Sequence, residues 1–206
     1  MFVDRKRQNE FMSIPTKEHA SRFLAPLRGC VAIILLHDVQ ARSPLSRFML
    51  RCAAMQSMTT TVLDADAFYS TNMDRFADEA QSITTSELLL LPERDFEVSS
   101  LLPLLSSKRE MLIIDDLNSL YSLASDGRRL QQLTILMRLL SLNARVNKSW
   151  VIATAYRAEQ GAKQGGVNQR SLTALGDLVV DTDFREESLR LRAESNGRWP
   201  NDELVV

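Results

Sequence analysis

Apolar residues along the chain fall into short continuous runs, separated by stretches in which they recur at helical spacing. The longest run occupies residues 30–36, and four further strand candidates occupy 60–64, 87–91, 111–115 and 150–154. A continuous apolar run is typical of a strand that is buried on both faces, as in a parallel sheet. The clearest helical stretch is 128–146, where one stripe contains Leu130, Leu133, Met137, Leu140 and Ala144. This alternation predicts an α/β fold with a mostly parallel sheet flanked by helices.

The last quarter of the chain has a different pattern. Residues 177–183, 188–193 and 203–206 are short strand candidates that follow one another without a helical stretch between them. In the middle one, leucines at 189 and 191 alternate with Arg190 and Arg192. Such alternation is typical of a strand with one buried and one exposed face. We therefore expect antiparallel strands at the C-terminal end of the sheet.

The N-terminal residues are polar and mixed in charge, with no apolar core of a secretory signal. We predict a flexible or partner-binding arm over residues 1–22 and a single core domain over 23–206. A chain of 206 residues that is 45% hydrophobic is large enough to bury one such core. No apolar run approaches the ~20 residues that a membrane-spanning helix needs, so no membrane association is expected.

Charge and cysteine content narrow the classes of partner. The formal net charge is -1, so the overall field does not attract nucleic acid, and any such contact needs a local basic patch. Arginines outnumber lysines 20 to 5, which suits bidentate contacts at interfaces or phosphates but is also a habit of some genomes. Cys30 and Cys52 lie in apolar stretches and are expected to be buried thiols of a reducing compartment.

Ligands of doubly wound sheets bind beyond the carboxyl ends of the strands. After the first run, a nucleotide-binding protein would have a glycine-rich loop, a lysine and a Ser or Thr that opens a helix. Here residues 37–46 read His-Asp-Val-Gln-Ala-Arg-Ser-Pro-Leu-Ser, without glycine or lysine. Asp38 would repel phosphate, and Arg42 or Arg47 as substitutes for the lysine would still lack the backbone cradle. We expect no Mg-ATP binding at this loop and no other cofactor.

Further along the chain, the residues that follow two of the runs resemble motifs of the RecA/RadA recombinase family. Residues 62–68, Val-Leu-Asp-Ala-Asp-Ala-Phe, place Asp66 where that family has the glutamate that positions the hydrolytic water. Within residues 112–121, an apolar run ends at Asp115 and Asp116. Asp115 matches the Walker B aspartate of that family. Residues 154–156 read Thr-Ala-Tyr in place of the family's Thr-Asn-Gln, so Tyr156 replaces the glutamine that senses phosphate.

The resemblance covers residues 28–206 and implies a RecA-like core in which Leu36, Asp66, Asp115 and Tyr156 lie along one edge of the sheet. Because the lysine, glycines, glutamate and glutamine that serve ATP are all replaced, the chain resembles recombinase paralogues that lack Walker A. Subunits of yeast Shu-type complexes and the small worm partner of a recombinase paralogue are examples. In this interpretation Asp115 and Asp66 are remnants of the nucleotide site, and the protein is a pseudo-ATPase.

For function, the resemblance implies a nuclear protein that pairs with another recombinase paralogue. The pair would assist or remodel recombinase filaments on single-stranded DNA during homologous recombination repair. Two alternatives remain open at this stage. One is an Elongator-type RecA-like accessory subunit that binds tRNA. The other is a degenerate ATPase that uses Arg42, Asp66 and Asp115.

Candidate binding residues come from the same resemblance. The segment 157–170 lies where recombinases carry their second DNA-binding loop. Its basic residues Arg157, Lys163 and Arg170, against one acidic residue, give it a net charge of about +2. It is either a weak, sequence-independent DNA contact or an ordinary surface loop. Phe11, in Phe-Met-Ser-Ile, resembles the Phe-x-x-Ala plug by which recombinases dock onto a neighbour.

The paired aspartates allow two interpretations. Asp115 hydrogen-bonds neighbouring backbone while Asp116 faces solvent, or this strand end supports a heterodimer interface and both contact the partner. The two histidines, His19 and His37, have no partners at metal-ligand spacing, so no metal site is expected.

Overall fold

The computed structural model describes residues 16–72, 76, 87–90, 96–106, 109–124, 126–157, 175–185, 188–193 and 203–205. Within this part of the chain, eight strands form one sheet: β1 Val31–Leu36, β2 Thr60–Asp64, β3 Glu87–Leu90, β4 Met111–Asp115, β5 Trp150–Tyr156, β6 Leu178–Arg185, β7 Ser188–Ala193 and β8 Glu203–Val205. The helices are α1 Lys17–Leu27, α2 Arg42–Met55, α3 Phe68–Thr71, α4 Pro103–Ser106, α5 Leu117–Leu123 and α6 Gly127–Asn147.

The strand order is β3-β2-β4-β5-β1-β6-β7-β8. The first six strands in this order are parallel, whereas β6–β7 and β7–β8 are antiparallel. The predicted α/β class, with a mostly parallel sheet and antiparallel C-terminal strands, is confirmed. In β7, Leu189 and Leu191 are buried while Arg190 and Arg192 are exposed, as their alternation predicts.

Strand β1 lies inside the sheet, between β5 and β6, and all six of its residues are buried. Ala32, Ile34 and Leu36 pack into the core under α1 and α2. The alternate residues of the strand pack on the opposite face, in the core under α5 and α6. Helices on both faces thus explain why the first run is continuously apolar instead of alternating.

Helix α1 corrects the predicted boundary of the N-terminal arm. It begins at Lys17, inside the predicted arm, and Thr16 caps it by accepting a 3.2 Å hydrogen bond from the amide of His19. Ala20 and Phe23 are fully buried, and the ring of Phe23 lies 4.9 Å from that of Phe48 in α2. Residues 17–22 therefore belong to the folded domain, while 1–15 lie outside the described residues.

Both cysteines are buried free thiols, as expected. No helix in the described part of the chain combines the length and the apolar character needed to cross a bilayer.

Gly176, just before β6, provides a test of the packing between β6 and β1. A Cβ at this position would lie 2.8 Å from Ile33 Cγ1, 2.9 Å from its Cδ1 and 3.2 Å from the backbone oxygen of Leu178. We expect Gly176→Ala to lower the free energy of unfolding by about 1–3 kcal/mol, the usual cost of overpacking, as measured by urea denaturation.

Gly127→Ala is the matched control for this substitution. Gly127 opens α6, and a Cβ there would have no atom within 4 Å. Because alanine is the better helix former by about 1 kcal/mol, we expect the control to be neutral or stabilising. Equal effects of the two substitutions would contradict the described packing of β6 on β1.

Candidate functional site

Four neighbouring strands bring the predicted residues to one edge of the sheet. β2, β4, β5 and β1 lie side by side and run parallel, so their carboxyl ends share an edge. Leu36 is in register with Tyr156, and Asp115 is in register with Asp64. Asp66 follows Asp64 by two residues, so it lies just beyond the same strand end. The expectation that Leu36, Asp66, Asp115 and Tyr156 lie along one edge is confirmed.

The connection between β1 and α2 is short. It consists of residues 37–41, of which Val39–Ala41 form a 3₁₀ turn. The carboxylate of Asp38 accepts a 2.8 Å hydrogen bond from the amide of Gln40. A phosphate loop needs the pattern Gly-x-x-x-x-Gly-Lys-Ser/Thr, whose free amides surround the anion. Here there is no glycine, and the loop amide of Gln40 donates to the side chain of Asp38 instead of being free for a phosphate.

Helix α2 begins at Arg42, and this side chain is the centre of the site. Its two terminal nitrogens each donate a 2.6 Å hydrogen bond to one carboxylate oxygen of Asp66. Its Nε donates a 3.1 Å bond to Asp115, and Nη2 lies 3.8 Å from a carboxylate oxygen of Asp116. The guanidinium also lies over the ring of Phe68, 4.0 Å from its centroid. We call Arg42, Asp66, Asp115 and Asp116 the Arg42 cluster.

Asp115 is completely buried at the end of β4. Its second oxygen accepts a hydrogen bond from the hydroxyl of Thr154 on β5. Both oxygens therefore have a donor inside the chain, which a buried carboxylate requires. The interpretation in which Asp115 bonds only neighbouring backbone is wrong, because its partners are the side chains of Arg42 and Thr154.

Asp116 does not face solvent, contrary to one of the two interpretations, since it is only 1% exposed. It is the N-cap of α5, and its carboxylate accepts a 2.7 Å hydrogen bond from the amide of Ser119. A direct contact of Asp115 and Asp116 with a partner, the other interpretation, is not what this geometry offers, because both side chains lie inside the chain. Asp66, with 30% of its side chain exposed, lies at the surface of the cluster.

One guanidinium thus faces three carboxylates. Burial lowers the pKa of Arg42, but the hydrogen bond to Asp66 and the charge of Asp115 outweigh it, so the pKa lies above its ordinary value and Arg42 stays charged. Burial raises the pKa of Asp115 to about 6, against the opposing effects of Arg42 and Thr154. Burial likewise raises the pKa of Asp116, against its bond to the Ser119 amide.

These residues do not fit Mg-ATP. In the family that the chain resembles, the aspartate matched by Asp115 supports magnesium. Here the permanent cation of Arg42 already donates to one oxygen of Asp115, and Thr154 donates to the other. A divalent metal beside it would add like charge, and the loop offers no glycine-lined cradle for phosphates.

Arg157 lies apart from the Arg42 cluster, directly after β5. Its guanidinium is 3.1 Å from His37 Nε2 and 3.3 Å from a carboxylate oxygen of Asp181, which is itself 3.0 Å from His37. These residues line an open pocket of about 360 Å³ together with Thr182, Asp183 and three further arginines, at 185, 190 and 192. Four arginines against two aspartates give the lining a net charge of +2, counting His37 as neutral.

The other candidate residues named from the sequence, Phe11, Lys163 and Arg170, lie outside the described residues. The residue whose role sequence reasoning missed is Arg42, which was considered only as a substitute for the phosphate-loop lysine and as part of a degenerate ATPase. A usable signal was present: a lone arginine in the first turn of the helix after β1, with three aspartates at neighbouring strand ends. Thr154 and Phe68 gave no such signal.

The stability of the folded chain is expected to depend on the positive charge of Arg42. We expect Arg42→Met to lower the free energy of unfolding by about 3–5 kcal/mol, because it leaves buried carboxylates without their cation. The double variant Arg42→Met/Asp115→Asn should recover part of this loss, because Asp115→Asn removes one of the carboxylate charges that Arg42→Met leaves uncompensated. Urea denaturation of both variants at neutral pH measures the two effects.

Arg128→Met is a suitable control, because Arg128 is an exposed arginine of α6, and we expect a change within about 0.5 kcal/mol. A loss as small for Arg42→Met as for this control would contradict the structural role of the cluster.

The raised pKa of Asp115 predicts a pH dependence. The carboxyl binds its proton more tightly in the folded chain, so its contribution to stability is complete below about pH 4 and is lost as pH rises through about 6. We expect the unfolding free energy of the wild type, relative to Asp115→Asn, to fall by about 1–3 kcal/mol between pH 4 and 7. Urea titrations across this range test it, and a constant or rising difference would refute it.

Comparisons with known proteins bear on the fold. No protein-family model matches the chain, and no curated protein matches it. A solved structure described as the crystal structure of the RadB recombinase is similar, with a TM-score of 0.60 and 13% sequence identity over 87% of this chain and 86% of that one. At this identity the similarity concerns the fold alone. The chain therefore has the RecA-like fold that its sequence resembles, shared with a recombinase over most of both chains.

Proposed function

We propose that the chain is a non-catalytic recombinase paralogue. In this proposal it forms a heteromeric complex with another paralogue in the nucleus and assists or remodels recombinase filaments on single-stranded DNA during homologous recombination repair. The observation that carries the proposal is the Arg42 cluster. The cluster lies at the strand edge where a recombinase binds nucleotide, and its cation is a side chain of the chain itself.

The hydrogen-bond partners of Arg42 support the proposed absence of catalysis. Its three donor nitrogens contact Asp66 and Asp115, the two residues that match the hydrolytic positions of the family. A carboxylate held in a bidentate ion pair is a poor base for positioning water, because its lone pairs already accept hydrogen bonds. In this proposal the cluster stabilises the fold and does not turn over nucleotide.

Recombinase-type cores assemble with the nucleotide edge of one subunit against the next, and this supports a partner at the same edge. With Asp115 and Asp116 buried, the contacts would come from the surface of the cluster, including Asp66 and the partly buried ring of Phe68. Phe11, in the arm, remains a candidate plug for the same assembly.

Contact with single-stranded DNA is supported by the pocket beside Arg157. Its lining has four arginines and two aspartates, a net charge of +2, with Arg157 paired to Asp181 and Arg185 to Asp183. Arginine is the side chain that forms bidentate hydrogen bonds with phosphate oxygens. Arg157 begins the segment that matches the second DNA-binding loop, and Lys163 and Arg170, which lie further along the same segment, remain candidate DNA-binding residues. Because phosphate contacts carry no sequence information, the binding would be weak, salt-dependent and sequence-independent.

Co-purification tests the proposal most directly. The tagged full chain is isolated from the organism that encodes it, washed at high salt, and its bound proteins are identified by mass spectrometry. We expect a second protein with a recombinase-type core to be recovered. We also expect the complex to bind single-stranded DNA at least ten-fold more tightly than tRNA, and Arg157→Ala to weaken that binding several-fold.

Arg129→Ala is the control for the DNA measurement. Arg129 lies on α6 with ion pairs to Glu97 and Asp126, away from the pocket. Recovery of no recombinase-like protein would refute the proposed complex, and tighter binding to tRNA would favour an Elongator-type accessory subunit. ATP turnover that disappears in Asp115→Ala would identify a degenerate ATPase.

A further inference from the structure

Helix α6 has two apolar stripes, of which the core uses one. The buried stripe contains Leu133, Met137, Leu140 and Ala144, which pack against the sheet. The second consists of Ile135, Leu139, Leu142 and Val146, whose exposed fractions are 54%, 40%, 56% and 80%. We call these four residues the outer stripe.

The spacing of the outer stripe is regular. Its residues follow one another at intervals of four, three and four positions. At 3.6 residues per turn, this places all four side chains within a narrow band on one side of the helix, opposite the buried stripe. Alternating intervals of three and four are the a and d positions of a heptad, which is the pattern by which one helix packs along another.

Single exposed leucines are ordinary at protein surfaces and need no explanation. The outer stripe differs because four branched side chains form one continuous band three turns long. Contiguous exposed apolar surface of this kind marks interaction sites in soluble proteins. None of the elements in the described part of the chain covers it, as the exposure of Val146 and Leu142 shows.

The charges of α6 indicate which kind of helix fits. The helix contains four arginines and no acidic residue. Arg138 and Arg145 lie at the g positions beside the outer stripe, and Arg128 lies seven residues before Ile135, at its N-terminal end. Arg138 and Arg128 are exposed, whereas Arg145 is paired with Asp177. Flanking charges of this kind determine partner choice in helix pairing.

A second copy of the chain fits this surface poorly. Pairing two α6 helices would bring an arginine-bearing, acid-free helix against another, and like charges beside an apolar seam disfavour association. A helix with Glu or Asp beside its own apolar seam would instead gain complementary charge along the arginine-bearing flank.

We propose that the outer stripe of α6 is a docking surface for an amphipathic helix of another protein, whose apolar seam is flanked by acidic residues. This surface lies on an outer face of α6, separate from the residues of the Arg42 cluster. The proposal does not depend on the role in recombination, because it holds for any partner that presents such a helix.

The test uses two labelled synthetic helical peptides of three heptads, each with Leu and Ile at the a and d positions. One has Glu at its e and g positions and the other has Lys. We expect the Glu peptide to bind the full chain at least ten-fold more tightly than the Lys peptide, as measured by fluorescence anisotropy. Leu142→Gln/Val146→Gln should weaken binding of the Glu peptide at least ten-fold.

Val39→Gln is the matched control, since Val39 is 69% exposed but lies in the β1–α2 connection. It should leave the affinity unchanged. Arg138→Glu, a substitution at an exposed position, should shift the preference towards the Lys peptide without altering the fold, as circular dichroism would show.

Failure to bind either peptide, equal affinity for both, or an affinity that the double substitution leaves unchanged would each overturn the proposal. A wild-type chain that sediments as a dimer and becomes monomeric in Leu142→Gln would assign the outer stripe to a second copy instead. None of these outcomes depends on whether a recombinase-like protein co-purifies, so the two proposals fail separately.

Discussion

The guanidinium of Arg42 is the constraint on which the carboxyl edge of the sheet depends. Parallel strands deliver Asp115 and Asp116 to one buried point, and an unpaired carboxylate there would be strongly unfavourable. Only five residues separate the end of β1 from the start of α2. This short connection lets the Arg42 side chain contact Asp115 at the end of β4 and Asp66 after β2. The short connection, the helix start and the aspartates form one unit, and each requires the others.

This unit also organises the surroundings. Asp116 caps α5, so the same residue that belongs to the charge cluster determines where that helix begins. Phe68 packs on the guanidinium and contacts Tyr69 edge-to-face, which links α3 to the cluster. Thr154 ties β5 to β4 through Asp115. Polar contacts thus hold the strand ends together, as apolar packing does along the length of the strands.

Most of the fold could be predicted from the sequence because its signals are local. Continuous apolar runs such as 30–36 and the repeat of Leu133, Met137 and Leu140 depend only on which faces are buried. Helix α1 was missed although Ala20, Phe23 and Leu27 are spaced as a helix requires, because its polar first turn and Pro26 resemble an unstructured arm. Where such a segment docks depends on α2, a contact that local pattern does not contain.

The site was predictable only in part, for a related reason. Asp66 and Asp115 follow strand runs, so the topology of a parallel sheet places them on one edge. What neutralises them does not follow from that rule, since Arg42 is 24 residues from Asp66 and 73 from Asp115. An ion pair of that separation is a property of the assembled fold. The burial of Asp116 was likewise invisible, because capping and solvent exposure both suit an aspartate before a helix.

An ATPase of this fold receives the cation beside its acidic strand ends from solution, as a metal ion bound with the nucleotide, so the presence of that cation follows the ligand concentrations. In this chain the positive charge belongs to Arg42, which is part of the same polypeptide as the carboxylates that it pairs with. It is present at every concentration of free metal, and it cannot diffuse away from the chain. The cation beside these carboxylates is therefore a product of folding and not of mass action.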